Sequence, residues 1–196
     1  MKKVCLLPTV YCLLLLVGCV EEPVKEDVPE LITKITLTFT PDVGALVMVS
    51  AADPDGEGVK SILPDGIILL DKDRSYTLTL GLINELADPS SPEYNLTSEI
   101  EKEGDEHLFF FNWTNNLFSS PSGNGNIDNR NDDLNYGDKD VAGLPIGIKT
   151  YWIASATPTV GEFRILLKHQ PGIKSLTSSA TAGETDLDLI FSVEIK

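Results

Sequence analysis

The sequence predicts an all-β protein, an antiparallel β-sandwich with one short helix. Three observations carry this. Apolar residues recur at every second position through most of the chain. Turn-forming Gly, Pro, Asn and Asp separate these runs. Only TSEIEKEG, residues 97–104, has the composition of a helix, with Ser98 and Glu101 at capping-box spacing and Gly104 as its stop.

The strands follow in order. In LITKITLTFT, Leu31, Ile35, Leu37 and Phe39 share one parity, and Lys34, Thr36, Thr38 and Thr40 the other. GALVMVSA follows the Pro41-Asp42 turn, and residues 66–70 form a short apolar run after Pro64-Asp65. In RSYTLTLGL, Tyr76, Leu78, Leu80 and Leu82 alternate with Ser75, Thr77 and Thr79. Residues 107–113 are apolar on both parities, the pattern of a central strand covered on both faces. Residues 148–154 carry Tyr151 and Trp152, and residues 162–168 alternate through Phe163, Ile165 and Leu167. The last strand points Leu187, Leu189, Phe191, Val193 and Ile195 inward, and Asp186, Asp188, Ser192, Glu194 and Lys196 outward. About eight strands with turns between them suit an immunoglobulin-like sandwich, with the helix crossing between its sheets.

Ahead of this domain lies a different kind of sequence. Lys2 and Lys3 precede an apolar run that ends at Val17, too short for the ~20 residues that span a bilayer. Residues 1–18 thus read as a secretory signal peptide. Leu16-Val17-Gly18-Cys19 resembles a bacterial lipobox. The resemblance implies cleavage before Cys19, a diacylglyceryl group on its thiol, and acylation (palmitate, for example) of the freed amine. Two or three chains hold a protein firmly to a membrane, at ~0.8 kcal/mol per buried methylene. Residues 19–30 supply the acylated cysteine and an acidic, proline-containing tether, and residues 31–196 form one domain. Glu21-Glu22 is similar to the acidic export signal of surface-exposed Bacteroidota lipoproteins. The implied location is the outer membrane of the cell envelope, on either the surface or the periplasmic face.

Composition excludes several functions. Loss of residues 1–18 removes two lysines, leaving 30 acidic and 13 basic side chains and a formal charge of −17. No nucleic-acid partner suits such a surface, and anchoring to anionic lipid falls to the acyl chains alone. Cys5 and Cys12 lie in the signal peptide and Cys19 takes the lipid, so the domain has no disulfide, thiolate metal site or thiol nucleophile. Core burial must stabilise it. From residue 31 there are 166 residues, enough to bury ~70% of the unfolded surface.

Candidate sites cluster in the polar loops. Residues 112–140 hold eight Asn, five Asp and three Gly. Such a loop either carries function or uses its Asn and Asp to bond its own backbone. Asp138-Lys139-Asp140-Val141-Ala142-Gly143 matches the opening of a calcium loop, but lacks oxygen ligands at Ala142 and Lys149. Asp53-Pro54-Asp55-Gly56-Glu57-Gly58 spaces Asp53, Asp55 and Glu57 as alternate oxygen donors, and equally reads as a hairpin turn. Calcium is the one cofactor these patterns offer. Trp113, Phe118, Tyr136, Tyr151 and Trp152 flank or occupy the polar loop. An exposed ring would stack on a sugar, whereas core packing accounts for the tryptophans as well.

Catalytic motifs are missing. There is no G-x-S-x-G, H-E-x-x-H or glycine-rich phosphate loop. Glu103 and His107 would form a metal pair only if the helix continued through Gly104. His169, at the edge of an apolar run, reads as a core-edge histidine bonded to backbone. The segments GDKDVAGLPIG, FRILLKHQPGIK and GETDLDLIFSVEI resemble a group of small uncharacterised Bacteroidota lipoproteins. Some of that group are described by a periplasmic-binding fold, which needs far more helix than this chain offers. The sequence as a whole reads as a lipid-anchored extracytoplasmic binding or accessory module for a glycan, peptide or partner protein. The alternatives are a structural or adhesion subunit of a surface assembly and, last, a carboxylate-based hydrolase.

Overall fold

The computed structural model describes residues 30–53, 56 and 62–196. Two sheets face one another across a single large core. The larger contains β1 (Lys34–Pro41), β2 (Val47–Ala52), β3 (Leu63–Pro64), β5 (Ser75–Ile83), β7 (Phe118–Ser120) and β8 (Lys149–Ala154), in the order β3-β2-β1-β5-β8-β7. It curls into half a barrel. The smaller contains β4 (Ile68–Leu70), β6 (His107–Trp113), β9 (Thr159–His169) and β10 (Glu184–Ile195), in the order β4-β10-β9-β6. Every pairing is antiparallel except that of β4 with β10, which makes the smaller sheet mixed.

The period-two pattern decides which side chains face the core. Ile35, Leu37 and Phe39 of β1 are buried, as are Tyr76, Leu78, Leu80 and Leu82 of β5. From β10, Leu187, Leu189, Phe191, Val193 and Ile195 join them. Asp186 departs from the expected outward parity. A register shift between Thr185 and Leu187 turns its carboxylate inward, where its side chain has no exposed surface.

The helix α1 (Leu96–Lys102) links β5 of one sheet to β6 of the other. Its cap is Asn95, whose Oδ1 accepts the Ser98 amide, rather than Ser98 itself. Thr97 Oγ1 accepts from the Leu82 amide and donates to the Leu82 carbonyl, tying the helix to the end of β5.

β6 is an edge strand, not a central one. Both its faces are nevertheless covered. Phe109, Phe111 and Trp113 face the main core, while Leu108 and Phe110 pack with Leu166, Ile127, Tyr136 and Ala180 on the outer face. The Asn/Asp-rich segment does the covering, and it also closes the edge. The amides of Phe109 and Trp113 donate to the carbonyls of Ile146 and Asn124, and the Asn126 amide donates to Phe111 O. Fully buried Asn126 accepts the Phe111 amide at 3.0 Å and donates to Tyr136 Oη at 2.8 Å. Tyr136 Oη donates in turn to Phe109 O at 2.7 Å. Gly125, at φ +99°, is needed because a Cβ there would lie 2.1 Å from Phe111 O.

Candidate ligand groove

The aromatic residues divide according to strand parity. Trp113, Phe118 and Trp152 are 1, 4 and 1% exposed. Trp152 meets Phe163 edge-on at 5.1 Å and Trp113 at 5.2 Å, and Phe118 lies 4.5 Å from Trp152. These three rings form the core between the sheets and present no face to a ligand. Tyr136 is half-buried and serves the β6 edge; burial raises its hydroxyl well above the ordinary value, so it remains a donor. On β8, Thr150, Trp152 and Ala154 point inward, while Lys149, Tyr151 and Ile153 point outward. Tyr151 is therefore the displayed ring, at 43% exposure.

Tyr151 borders a groove of about 420 Å³ on the outer face of the larger sheet. Strand register builds its floor. Thr40 of β1 stands opposite Thr77 of β5, and Thr77 opposite Tyr151 of β8. This row crosses three strands at ~4.8 Å per step. Ser75, Ser120 and Asn135 add further hydroxyl and amide groups to the lining. Asn135 is fixed by donating to Ser120 Oγ and the Tyr151 carbonyl, each at 3.1 Å. Residues 135–137 pair with β8, where Tyr151 N donates to Asn135 O and Gly137 N to Lys149 O. Gly137 presses against the ring: a Cβ there would lie 2.9 Å from Tyr151 Cε2. The Lys149 ammonium stands 5.7 Å from the ring centroid. Among the described residues, Asp42 is the one carboxylate of the lining; it pairs with Arg74 at 3.2 Å and accepts the Val43 amide.

The 138–143 calcium motif has its oxygens committed to the protein. Asp138 Oδ1 accepts the Gly147 amide and Oδ2 the Lys149 amide. Asp140 Oδ1 accepts the amides of Ala142 and Leu144, and Oδ2 meets Lys174 Nζ at 2.9 Å. Both side chains of that pair are 1% exposed. Burial alone would raise the Asp140 carboxyl, but the Lys174 hydrogen bond and the amides outweigh it and hold it below its ordinary value. Lys174 is itself lowered by burial, against the raising effect of Asp140. An ammonium thus already stands at this carboxylate.

Asp53 is buried and lines a smaller cleft, about 250 Å³, with Glu30, Thr185 and Asp186. Its proposed co-ligands Asp55 and Glu57 lie outside the described residues, as does Cys19. Glu30 also belongs to a second group: the carboxylates of Glu30, Glu99 and Glu103 lie within 4.8 Å of one another. His107 does not extend the helix: it opens β6, and its Nδ1 meets the Glu103 carbonyl at 3.1 Å. Its ring stacks on His169 at 4.6 Å, and Nε2 lies 3.9 Å from Asp186 Oδ2, beyond hydrogen-bond length. Burial depresses the His107 pKa, only partly offset by Glu103 O. His169 Nε2 meets Glu106 Oε2 at 3.2 Å.

From the sequence, Trp113, Phe118, Tyr136 and Trp152 are the candidate ligand-binding rings, with Tyr151 named only as flanking the loop; the structure displays Tyr151 and buries Trp113, Phe118 and Trp152. Alternation within residues 149–154, with the larger indole taking the core side, carries the signal that separates Tyr151 from Trp152.

Comparison with family models, curated proteins and solved structures gives no match. The chain is defined by its architecture: a mostly β protein of two facing sheets and one short helix. Among the described residues, no helix is long and apolar enough to cross a membrane.

Proposed function

We propose that this protein is a lipid-anchored binding module of the cell envelope, held at the outer membrane through acylated Cys19, with the Tyr151 groove as its ligand face. The groove is the observation that carries the reading: a preformed concavity with a positioned ring and convergent polar groups. Its placement supports the same reading. The tether would enter at residue 30, and the groove lies at the far end of β1, about 25 Å along an eight-residue strand. A ligand would meet the side turned away from the anchor.

The alternatives draw less support. A subunit assembled by strand pairing needs a long bare edge. Among the described residues, β3, β4 and β7 have two or three residues and β6 is capped by the polar segment; β4 pairs with only Val193, Glu194 and Ile195 of the twelve-residue β10, so the earlier part of β10 is where this alternative keeps support. A carboxylate hydrolase needs two acidic groups across a cleft; among the described residues the Tyr151 groove has Asp42 as its one carboxylate, so this alternative would have to use the smaller cleft lined by Glu30, Asp53 and Asp186. Kinship with immunoglobulin-like domains would extend to the facing of two sheets.

Fractionation of cells making the full chain tests the anchoring. Labelled palmitate should enter the wild type and be absent from Cys19→Ala, whose uncut signal segment should leave it larger than the wild type by about residues 1–18. Absence of label from the wild type, or equal label in Cys19→Ala, would remove the lipid anchor from the account.

A further inference from the structure

The chemistry of the groove specifies its ligand further, and this step rests on the reading of the groove as the binding face. We propose that the groove takes a neutral oligosaccharide, lying across β1, β5 and β8 with one sugar ring stacked on Tyr151. Four features point to this class.

The first is the row of Thr40, Thr77 and Tyr151, set by strand register. Hydroxyls both donate and accept, as sugar hydroxyls do. A step of ~4.8 Å between strands is comparable with the length of one pyranose ring. Successive sugars could therefore each find a partner. The second is the ring itself. Tyr151 is 43% exposed, backed by Gly137 and anchored through backbone bonds to residues 135–137. A tyrosine gives a large, rigid contact at low entropic cost.

The third is charge. Among the described residues, Asp42 is the one charged group of the lining, and it is paired with Arg74. Lys149, 5.7 Å from the Tyr151 ring centroid, and Arg74 stand singly rather than as a cluster for a phosphate, sulfate or uronate, and the formal charge of −17 after loss of residues 1–18 repels anionic polymers. The fourth is location on a sheet face. A peptide recognised by strand addition needs free backbone groups at an edge, whereas this groove offers side chains. Its volume of about 420 Å³ lies in the usual range for small-ligand sites and suits two or three sugar units rather than a protein surface.

The test uses the full-length acylated protein in detergent micelles. It is titrated with short neutral oligosaccharides of glucose, mannose, galactose and xylose, with sulfated and uronate-bearing chains, and with a peptide library. Binding is read by calorimetry and by nuclear magnetic resonance shifts at Tyr151, Thr77 and Asn135. The expected result is binding of at least one neutral oligosaccharide with shifts at those residues. Tyr151→Ala should weaken it about tenfold and Thr77→Val severalfold, while Tyr151→Phe stays within about twofold. All three variants should melt with the wild type. Sugar binding that Tyr151→Ala leaves unchanged would overturn the site. Peptides or anionic chains shifting the groove residues, with neutral sugars silent, would overturn the sugar and leave the binding face intact. Silence of the groove toward every probe would overturn both.

Discussion

Replacing Lys174 with Met should destabilise the domain far more than loss of an ordinary surface lysine. Lys174 Nζ donates to Asp140 Oδ2 at 2.9 Å and to the Gly104 carbonyl, with both charged side chains 1% exposed. Methionine keeps the apolar stem but leaves the Asp140 carboxylate buried without its counter-ion. Removing one partner of such a pair costs about 3–5 kcal/mol, against about 0–1 kcal/mol for an exposed pair. With a urea slope of about 2 kcal/mol/M, the midpoint should fall by roughly 2 M. The acid dependence follows from Asp140, whose folded pKa is held below its ordinary value. Its stabilisation is complete above the unfolded value and is lost as pH falls through the folded one. In Lys174→Met the lowering by the ammonium is lost, so the Asp140 carboxyl pKa rises from its wild-type position and protonation relieves part of the variant's loss. The gap between the two proteins should narrow toward acid pH. Adding Asp140→Asn should restore much of the loss, because its Oδ1 can still accept the Ala142 and Leu144 amides. A loss below about 1 kcal/mol at neutral pH, or a gap that widens on acidification, would refute this reasoning.

Other predictions concern the polar segment and the histidine pair. Tyr136→Phe removes the donor to Phe109 O and the acceptor of Asn126 Nδ2, and should cost about 1–3 kcal/mol by urea denaturation. Gly125→Ala drives a methyl into Phe111 O at a positive φ; it should destabilise by more than Tyr136→Phe and speed amide exchange at Phe111 and Trp113. His107 has a folded pKa lowered by burial from 6.5. The unfolded chain therefore binds its proton first, and stability should decline as pH falls below about 6.5, by up to about 1.4 kcal/mol per pH unit. His107→Phe should flatten that slope; an unchanged slope would place the titration elsewhere.

Local pattern carried much of the fold into the sequence, and distant covering carried the rest. β1, β5 and β10 are legible because one face of each is buried and the other is wet, so period two survives intact. The short strands β3 and β7 leave no period to read. β6 misleads for a physical reason. Apolar residues on both parities report covering of both faces, but do not say what covers them. A central position and an edge beneath a folded-back loop give the same pattern. Asp186 misleads similarly, since a bulge changes parity without changing composition. The calcium motif at Asp138 and Asp140 shows why spacing alone is weak. The same carboxylates can serve amides and a lysine, and the lysine is 34 residues away from Asp140.

The abundance of Asn and Asp in residues 112–140 has an architectural consequence for where binding can occur. Side chains and backbone of this segment replace a missing neighbouring strand: Asn126 Oδ1 accepts the Phe111 amide, Tyr136 Oη donates to Phe109 O, and the Asn124 backbone carbonyl accepts the Trp113 amide. An apolar edge strand left bare would recruit another chain. Once the segment is spent on that edge, it cannot also rearrange around a ligand without uncovering Leu108 and Phe110. Residues 135–137 are the exception that joins the two roles. They leave the β6 cap at Tyr136 and pair with β8, where Gly137 backs the Tyr151 ring. The cap of one sheet thus stiffens the groove of the other, so loosening it through Asn126→Ala should weaken the proposed ligand binding at Tyr151, although Asn126 caps β6 and Tyr151 lies on β8 of the other sheet. Wild-type affinity in Asn126→Ala, with the fold retained, would separate the two and leave the segment a purely structural cover.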